Sequence, residues 1–160
     1  MKTLSVWANC RFHWFYMVAA IATVLSLCPG ALATLGDDAT SVVADGAKLQ
    51  ASLRIEHRCH YAVHDLLLPT GGKVREFVTD SGKVFAVSWS GGWRPSLRDI
   101  MGKHYDRYLE ATKGKRMMRG PVRIELPGLV VVMGGHQRAF FGHVYLVDML
   151  PPELSIEDIR

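Results

Sequence analysis

Three histidines and a cysteine lie close together in residues 57–64, and these side chains are common metal ligands in proteins. The order is His57, Cys59, His60 and His64. On a strand, alternation sends His57 and Cys59 to one face and His60 and His64 to the other, so the four cannot converge on one ion. On a helix, the three histidines would share a face. Valine, leucine and tyrosine in the segment favour the strand, so we predict no metal site.

Cys59 is also the candidate nucleophile of the sequence. A thiol nucleophile needs a base that approaches the sulfur directly, and neighbours within one strand offer poor geometry for this. A small envelope hydrolase or thiol enzyme, using Cys59 with His57, His60, His64 or His136, is therefore the alternative to a non-enzymatic protein. An unpaired cysteine more often packs as a small apolar side chain, and we expect Cys59 to be buried.

Motifs that fix the geometry of catalytic or phosphate-binding groups are absent from the sequence. It contains no G-x-S-x-G, H-E-x-x-H, C-x-x-C or S-x-x-K pattern and no phosphate-binding glycine loop. Histidines 136 and 143 could add ligands across a sheet, but their spacing does not require it. We therefore predict no catalytic residue, no cofactor and a protein that is not an enzyme.

Basic side chains are concentrated between residues 113 and 123 on both sides of two methionines. They are Lys113, Lys115, Arg116, Arg119 and Arg123. Cations at the end of a helix complement its dipole, and the chain as a whole carries a formal charge of only +4. We expect a solvated face and no nucleic-acid partner; anionic lipid headgroups or another envelope polymer are the remaining functional candidates.

Three strand-length runs, at residues 57–68, 73–79 and 83–89, are separated by two turns that contain glycine. This pattern predicts an antiparallel meander of three strands. Alternation places Phe85 and Trp89 on one face. Residues 34–52 are small and mixed, and an aspartate cap at residues 37–38 predicts a short helix there.

A Ser96-x-x-Asp99 capping pattern and apolar residues at three- and four-residue steps predict an amphipathic helix over residues 97–112. We expect this helix to cover Phe85 and Trp89 with the residues Ile100, Met101, Tyr105 and Tyr108. Strand signals at residues 122–126 and 129–133 and in a run ending at 147 follow it, and residues 155–160 form a surface tail. The predicted class is α+β: a three-stranded meander, one helix and a further hairpin.

The further hairpin places its corner in residues 134–142, where Gly134 and Gly135 supply positive φ angles. An imidazole, a guanidinium and two phenylalanines follow this glycine pair. Binding residues concentrate on loops that a rigid sheet supports. We therefore predict that exposed His136 and Arg138 form the surface that contacts a partner, although an ordinary turn is the simpler alternative.

The N-terminus has the organisation of a secretory signal peptide. Lys2 and Arg11 precede the apolar residues 12–27, and Ala31-Leu32-Ala33 supplies small residues for a peptidase. We predict cleavage near Ala33, a signal peptide over residues 1–33 and one domain over residues 34–160. A retained membrane anchor is the alternative, because the apolar run approaches a bilayer-spanning length. A lipoprotein signal is disfavoured by the bulky leucine before Cys28.

Cleavage would remove Cys10 and Cys28 and leave Cys59 without an internal disulfide partner. Loss of Lys2 and Arg11 from 19 basic residues would leave 17 against 15 acidic ones. The exported domain would thus be nearly neutral and would contact the membrane only transiently, through its signal peptide.

Four segments together resemble a known family: Tyr61-Ala62-Val63-His64-Asp65-Leu66-x-Leu68-Pro69-x-Gly71, Val74-Arg75-Glu76-Phe77-Val78, Gly82-Lys83-Val84-Phe85-Ala86-Val87-Ser88-Trp89 and Gly134-Gly135-His136-x-Arg138-Ala139-Phe140-x-Gly142. This pattern is similar to a group of small exported bacterial proteins, the domain-of-unknown-function family numbered twenty-eight forty-four. The resemblance implies export from a Gram-negative cell and a single-domain protein, without an assigned activity. We therefore expect a periplasmic or secreted, non-enzymatic domain of unknown function that binds another envelope protein or polymer. A purely structural subunit is a third possibility.

Overall fold

The computed structural model describes residues 34–39, 50–114 and 120–159, and within them one antiparallel sheet dominates. Its seven strands are β1 (Ser52–His57), β2 (Tyr61–Leu67), β3 (Lys73–Thr79), β4 (Val84–Gly91), β5 (Val122–Leu126), β6 (Leu129–His136) and β7 (Ala139–Leu146). They are ordered β1-β2-β3-β4-β7-β6-β5 across the sheet. Strands β1 and β5 are therefore its edges.

The predicted arrangement of a three-stranded meander followed by a separate hairpin is wrong, although the mixed helix and strand content is confirmed. The C-terminal strands join the first four because β7 pairs with β4, from Ala86 opposite Tyr145 to Gly91 opposite Phe140. The fourth N-terminal strand is β1, and its residues 53–56 fall between the region of the predicted short helix and the first predicted strand. The predicted strand over residues 57–68 is in fact a turn at residues 58–60 followed by β2.

The predicted helix over residues 97–112 is divided into two. Helix α1 (Leu97–Met101) and helix α2 (Tyr105–Thr112) are joined by a 3₁₀ turn at Gly102–His104. Ser96 caps α1 as the sequence indicates, because its hydroxyl accepts a hydrogen bond from the Asp99 amide at 3.4 Å. Gly102 has φ 46°, and a Cβ there would lie 2.1 Å from Cγ2 of Thr34. The break thus lets residues 34–36 pass close beside the helix.

A β-bulge in β4 changes which residues face the helices. Phe77 pairs with Ala86 but the next residue, Val78, pairs with Val84, so Phe85 is an extra residue. Val84, Val87 and Trp89 therefore point toward α1 and α2, on what we call the helix face. Phe85 and Ala86 point to the opposite side. The prediction that the helix covers Trp89 is confirmed, whereas the prediction that it also covers Phe85 is wrong.

The opposite side, which we call the tail face, is covered by the C-terminal residues. Leu154 and Ile159 are buried against an apolar cluster that includes Phe77, Phe85 and Tyr145. The Arg75 guanidinium donates a hydrogen bond to the Asp158 carbonyl at 3.1 Å, which fixes the end of the tail. The expectation of a surface tail holds for residues 155–158, which are exposed, but not for Ile159, which is buried because the second apolar face needs a cover.

The predicted signal peptide, its cleavage point near Ala33 and most of the short helix predicted in residues 34–52 lie outside the described residues. Of that short helix, residues 34–39 instead run beside the start of β4, with a bridge between Asp38 and Lys83. No helix in the described part of the chain is long and apolar enough to cross a membrane.

Candidate groove on the tail face of the sheet

A groove of about 530 Å³ crosses the part of the tail face that lies beyond the C-terminal tail. Four adjacent strands, β3, β4, β7 and β6, supply most of its lining. The side chains that define its chemistry are Lys73, Arg75, Ser88, Ser90, His143, Val132, Phe141 and Pro121. Strand alternation explains this set, because residues two apart on β3, β4 and β7 point to the same face.

One end of the groove is cationic. Lys73 and Arg75 both contact a single carboxylate oxygen, Oδ1 of Asp65, with N–O distances of 3.4 and 3.2 Å. Arg75 also lies over the Phe77 ring, with its guanidinium carbon 5.2 Å from the ring centroid. These contacts hold the guanidinium in one orientation beside the groove.

The floor of the groove is polar. Ser88 and His143 are paired across β4 and β7, and each is only 4% exposed. The His143 ring is stacked on Tyr145, with centroids 6.1 Å apart and planes at 16°. Ser90 follows on the same face of β4 and is exposed. Hydroxyl groups and an imidazole thus follow the cations toward the centre of the sheet.

The other end of the groove is apolar. Val132, Phe141 and Pro121 form its wall, and the Phe141 side chain is 43% exposed. Gly134 makes this position of the ring possible, since a Cβ there would lie 2.8 Å from Cζ of Phe141. Glycine within this strand therefore permits a close approach of an aromatic ring.

The predicted partner-contact residues, His136 and Arg138, lie at the exposed turn between β6 and β7. The turn itself consists of Gln137 and Arg138, and Arg138 has φ 70°. Gly134 and Gly135 are within β6, so the prediction that they form the corner is wrong. The strand continues through them because both pair with β7, opposite Phe141 and Phe140. His136 Nδ1 lies 3.1 Å from the Gln137 carbonyl oxygen.

The structure does not bring the histidines of residues 57–64 and Cys59 into one site. Cys59 is exposed in the β1–β2 turn, so the expectation of a buried thiol is wrong. His57 and His64 lie on the helix face of β1 and β2. Burial lowers the pKa of His64, and the charge of His57 lowers it further by a smaller amount. His60 is near carboxylates, 4.0 Å from Asp80 and 3.9 Å from Glu153. Within the described ranges, no three His, Cys, Asp or Glu side chains are placed to bind a metal ion.

Sequence reasoning did not identify the groove. Part of its lining could be predicted, because alternation in residues 73–77 places Lys73, Arg75 and Phe77 on one face. The contribution of Ser88 and His143 depends on the pairing of β4 with β7, which joins residues 55 positions apart in the sequence. No local pattern reports such a pairing.

Comparison with known proteins gives a family and no characterised relative. No curated protein and no solved structure matches the chain. The family model described as protein of unknown function (DUF2844) matches residues 31–159. Because this match covers most of the sequence, the chain belongs to the DUF2844 family of proteins of unknown function.

Proposed function

We propose that the protein is an exported, non-enzymatic domain of the bacterial cell envelope that binds another envelope component in the tail-face groove. The observation that carries this proposal is the change of chemistry along the groove, from the cations Lys73 and Arg75 to the apolar wall at Phe141. Such a mixture of apolar surface and a few polar groups is typical of binding sites. Among the described residues that line the groove there is no cysteine.

The N-terminal sequence supports export. Two basic residues, an apolar run and Ala31-Leu32-Ala33 form the three regions of a signal peptide, and we propose a periplasmic or secreted location in a Gram-negative bacterium. N-terminal sequencing of the protein recovered from cell fractions tests this. A new N-terminus near residue 34 outside the cytoplasm is expected, and a retained Met1 would contradict cleavage.

The β6–β7 turn supports a role for His136 and Arg138 at the rim of the groove. Both residues are exposed, and Phe141 in the groove wall lies opposite Gly134 in the same hairpin. We propose that the imidazole and the guanidinium contact the part of the partner that extends out of the groove. Replacing both with alanine should reduce partner recovery and change stability by no more than about 0.5 kcal/mol.

Site-specific photo-crosslinking tests binding at the groove. A photoreactive phenylalanine derivative is introduced at Phe141, which is 43% exposed, and separately at Leu109 on α2, which is 48% exposed. The two positions are matched in exposure but lie on different surfaces. Adducts with an envelope component are expected from position 141 only. Equal adduct formation at both positions would contradict a binding site in the groove.

A thiol enzyme is the second candidate, and the exposure of Cys59 is the observation that favours it. The thiol lies in the β1–β2 turn and is not part of the groove. Cys59→Ser should therefore leave groove adducts unchanged if the protein is a binding domain. Loss of a measurable hydrolytic or thiol-transfer activity in Cys59→Ser would favour the enzyme instead.

A further inference from the structure

We propose that the protein self-associates through the outer edge of strand β1, which pairs in antiparallel orientation with β1 of a second copy. A two-fold axis beside Ile55 relates the two strands, and the two sheets become one. This inference goes beyond the proposed function, because β2 separates β1 from β3, the first strand of the groove lining. Three features of β1 support it: the direction of its backbone groups, the order of its charges and the exposure of its central side chain.

The backbone of β1 determines which residues can pair with a further strand. In the part of the chain that the structure describes, β1 is paired on one side only, with β2. The Arg58 amide donates a hydrogen bond to the Tyr61 carbonyl at 2.8 Å, so Arg58 and every second residue before it bond to β2. The residues between them, Leu53, Ile55 and His57, therefore direct their N–H and C=O groups to the outer side.

A two-fold axis beside Ile55 matches these outward groups in the two copies. It places Ile55 opposite Ile55 of the second copy, and Leu53 opposite His57. Each outward residue thus meets another outward residue, as an antiparallel ladder requires. Addition of a strand at a sheet edge gives affinity through such main-chain hydrogen bonds.

The charges of β1 are complementary in this register. Arg54 of each copy lies opposite Glu56 of the other, and the symmetry makes this favourable contact twice. The two neighbouring registers that the backbone allows place Arg54 opposite Arg54 or Glu56 opposite Glu56, so the charges select the axis at Ile55. Oε1 of Glu56 lies 2.7 Å from the Arg58 guanidinium of the same chain, and a carboxylate can accept hydrogen bonds from a second guanidinium.

The exposed side chain of Ile55 favours β1 over the other edge strand, β5. Ile55 is 44% exposed, and in the joined sheet it lies beside the same side chain of the second copy. The central isoleucine of β5, Ile124, is only 9% exposed. Arg123 and Glu125 of β5 contact each other within the strand, with an N–O distance of 2.6 Å. Pairing at β5 would therefore cover little apolar surface and would use charges that already have partners.

Complementary charge-reversal variants of the full chain test this pairing. Analytical ultracentrifugation at increasing concentration should show a dimer of the unmodified protein. Arg54→Glu and Glu56→Arg should each weaken self-association at least about tenfold, because two opposite-charge pairs in each dimer become two like-charge pairs. A mixture of the two variants should form a heterodimer, which native mass spectrometry identifies by its mass, since opposite charges then face each other at both positions.

Arg123→Glu is the matched control for Arg54→Glu. It makes the same change in net charge at an exposed position of the other edge strand, and it also removes an arginine. The Arg123→Glu variant should self-associate as the unmodified protein does. Circular dichroism checks that each variant is folded, and a heterodimer of the mixed variants shows independently that both are.

Disulfide trapping tests the position of the axis. In a Cys59→Ser background, Ile55→Cys should form an intermolecular disulfide on mild oxidation. The two Cα atoms of a hydrogen-bonded antiparallel pair are about 5.5 Å apart, which is within the range of disulfides. Leu67→Cys is the control, because Leu67 is also exposed but lies on β2, away from the edge.

Several results would overturn the proposal. A monomer at every concentration would leave the β1 edge to a strand of another protein. A mixture of Arg54→Glu and Glu56→Arg that forms no heterodimer, or equal weakening by Arg123→Glu, would show that the two residues do not face each other. Equal disulfide formation by Ile55→Cys and Leu67→Cys would exclude an axis at Ile55.

Discussion

The C-terminal 3₁₀ turn, Ile156–Ile159, begins and ends with isoleucines that have the same side chain but different burial. Ile159 is 0% exposed and packs in the tail-face cluster, whereas Ile156 is 40% exposed. Truncation of Ile159 to alanine removes three buried carbon groups at about 0.8 kcal/mol each. The cavity adds roughly 1 kcal/mol, so the free energy of unfolding should fall by about 3 kcal/mol. Ile156→Ala should cost about 1 kcal/mol or less.

Urea denaturation of both variants measures this difference, with tryptophan fluorescence and circular dichroism as independent probes. A change in midpoint with an unchanged m-value is expected for Ile159→Ala, because the tail is part of the cooperative fold. Losses that differ by less than about 0.5 kcal/mol would refute the burial of the tail. A lower m-value in Ile159→Ala would indicate that the tail opens independently of the sheet.

Three further predictions follow from particular side chains. Gly142→Ala should destabilise the protein strongly, because the added Cβ would lie 2.2 Å from the Trp89 ring. Gly92→Ala is the control and should be tolerated, because the nearest atom to its added Cβ is 3.6 Å away. Thermal unfolding of the two variants measures the difference. Burial lowers the pKa of His64 below 6.5, so its neutral form stabilises the fold above that pH. This contribution to the free energy of unfolding is lost as the pH falls from 6.5 through the folded-state pKa. His64→Gln should therefore make the free energy of unfolding less dependent on pH, as urea denaturation at several pH values measures. Exposed Cys59 should react with a thiol reagent in the native protein as fast as after denaturation, as peptide mapping shows; protection would contradict its exposure.

Local sequence signals were sufficient for much of the secondary structure. The strands at 73–79 and 122–126 are confirmed, and the cap at Ser96 begins a helix as predicted. Each of these depends on residues adjacent in sequence, through alternation, glycine turns or a side-chain cap. Strand β1 was not predicted, although Leu53 and Ile55 alternate with Arg54 and Glu56 and this alternation is itself a local strand signal.

Contacts between distant residues account for the errors. The sheet order depends on β4 and β7, which are separated by both helices and two strands. The tail depends on a cluster around Phe77 that becomes visible only after the sheet is assembled. The candidate groove requires both of these long-range contacts, since it extends across the β4–β7 pairing and ends beside the tail. A sequence pattern of short range cannot report either contact.

The bulge at Phe85 links the fold to the candidate groove. With strict alternation from Val84 onward, Val87 and Trp89 would point to the tail face, and Ser88 and Ser90 would point toward the helices. The extra residue reverses this outcome. It gives the helices their apolar partners and places both hydroxyl groups on the tail face. A single inserted residue in β4 therefore makes the helix face apolar and the floor of the groove polar, and without it neither face could have its observed partner.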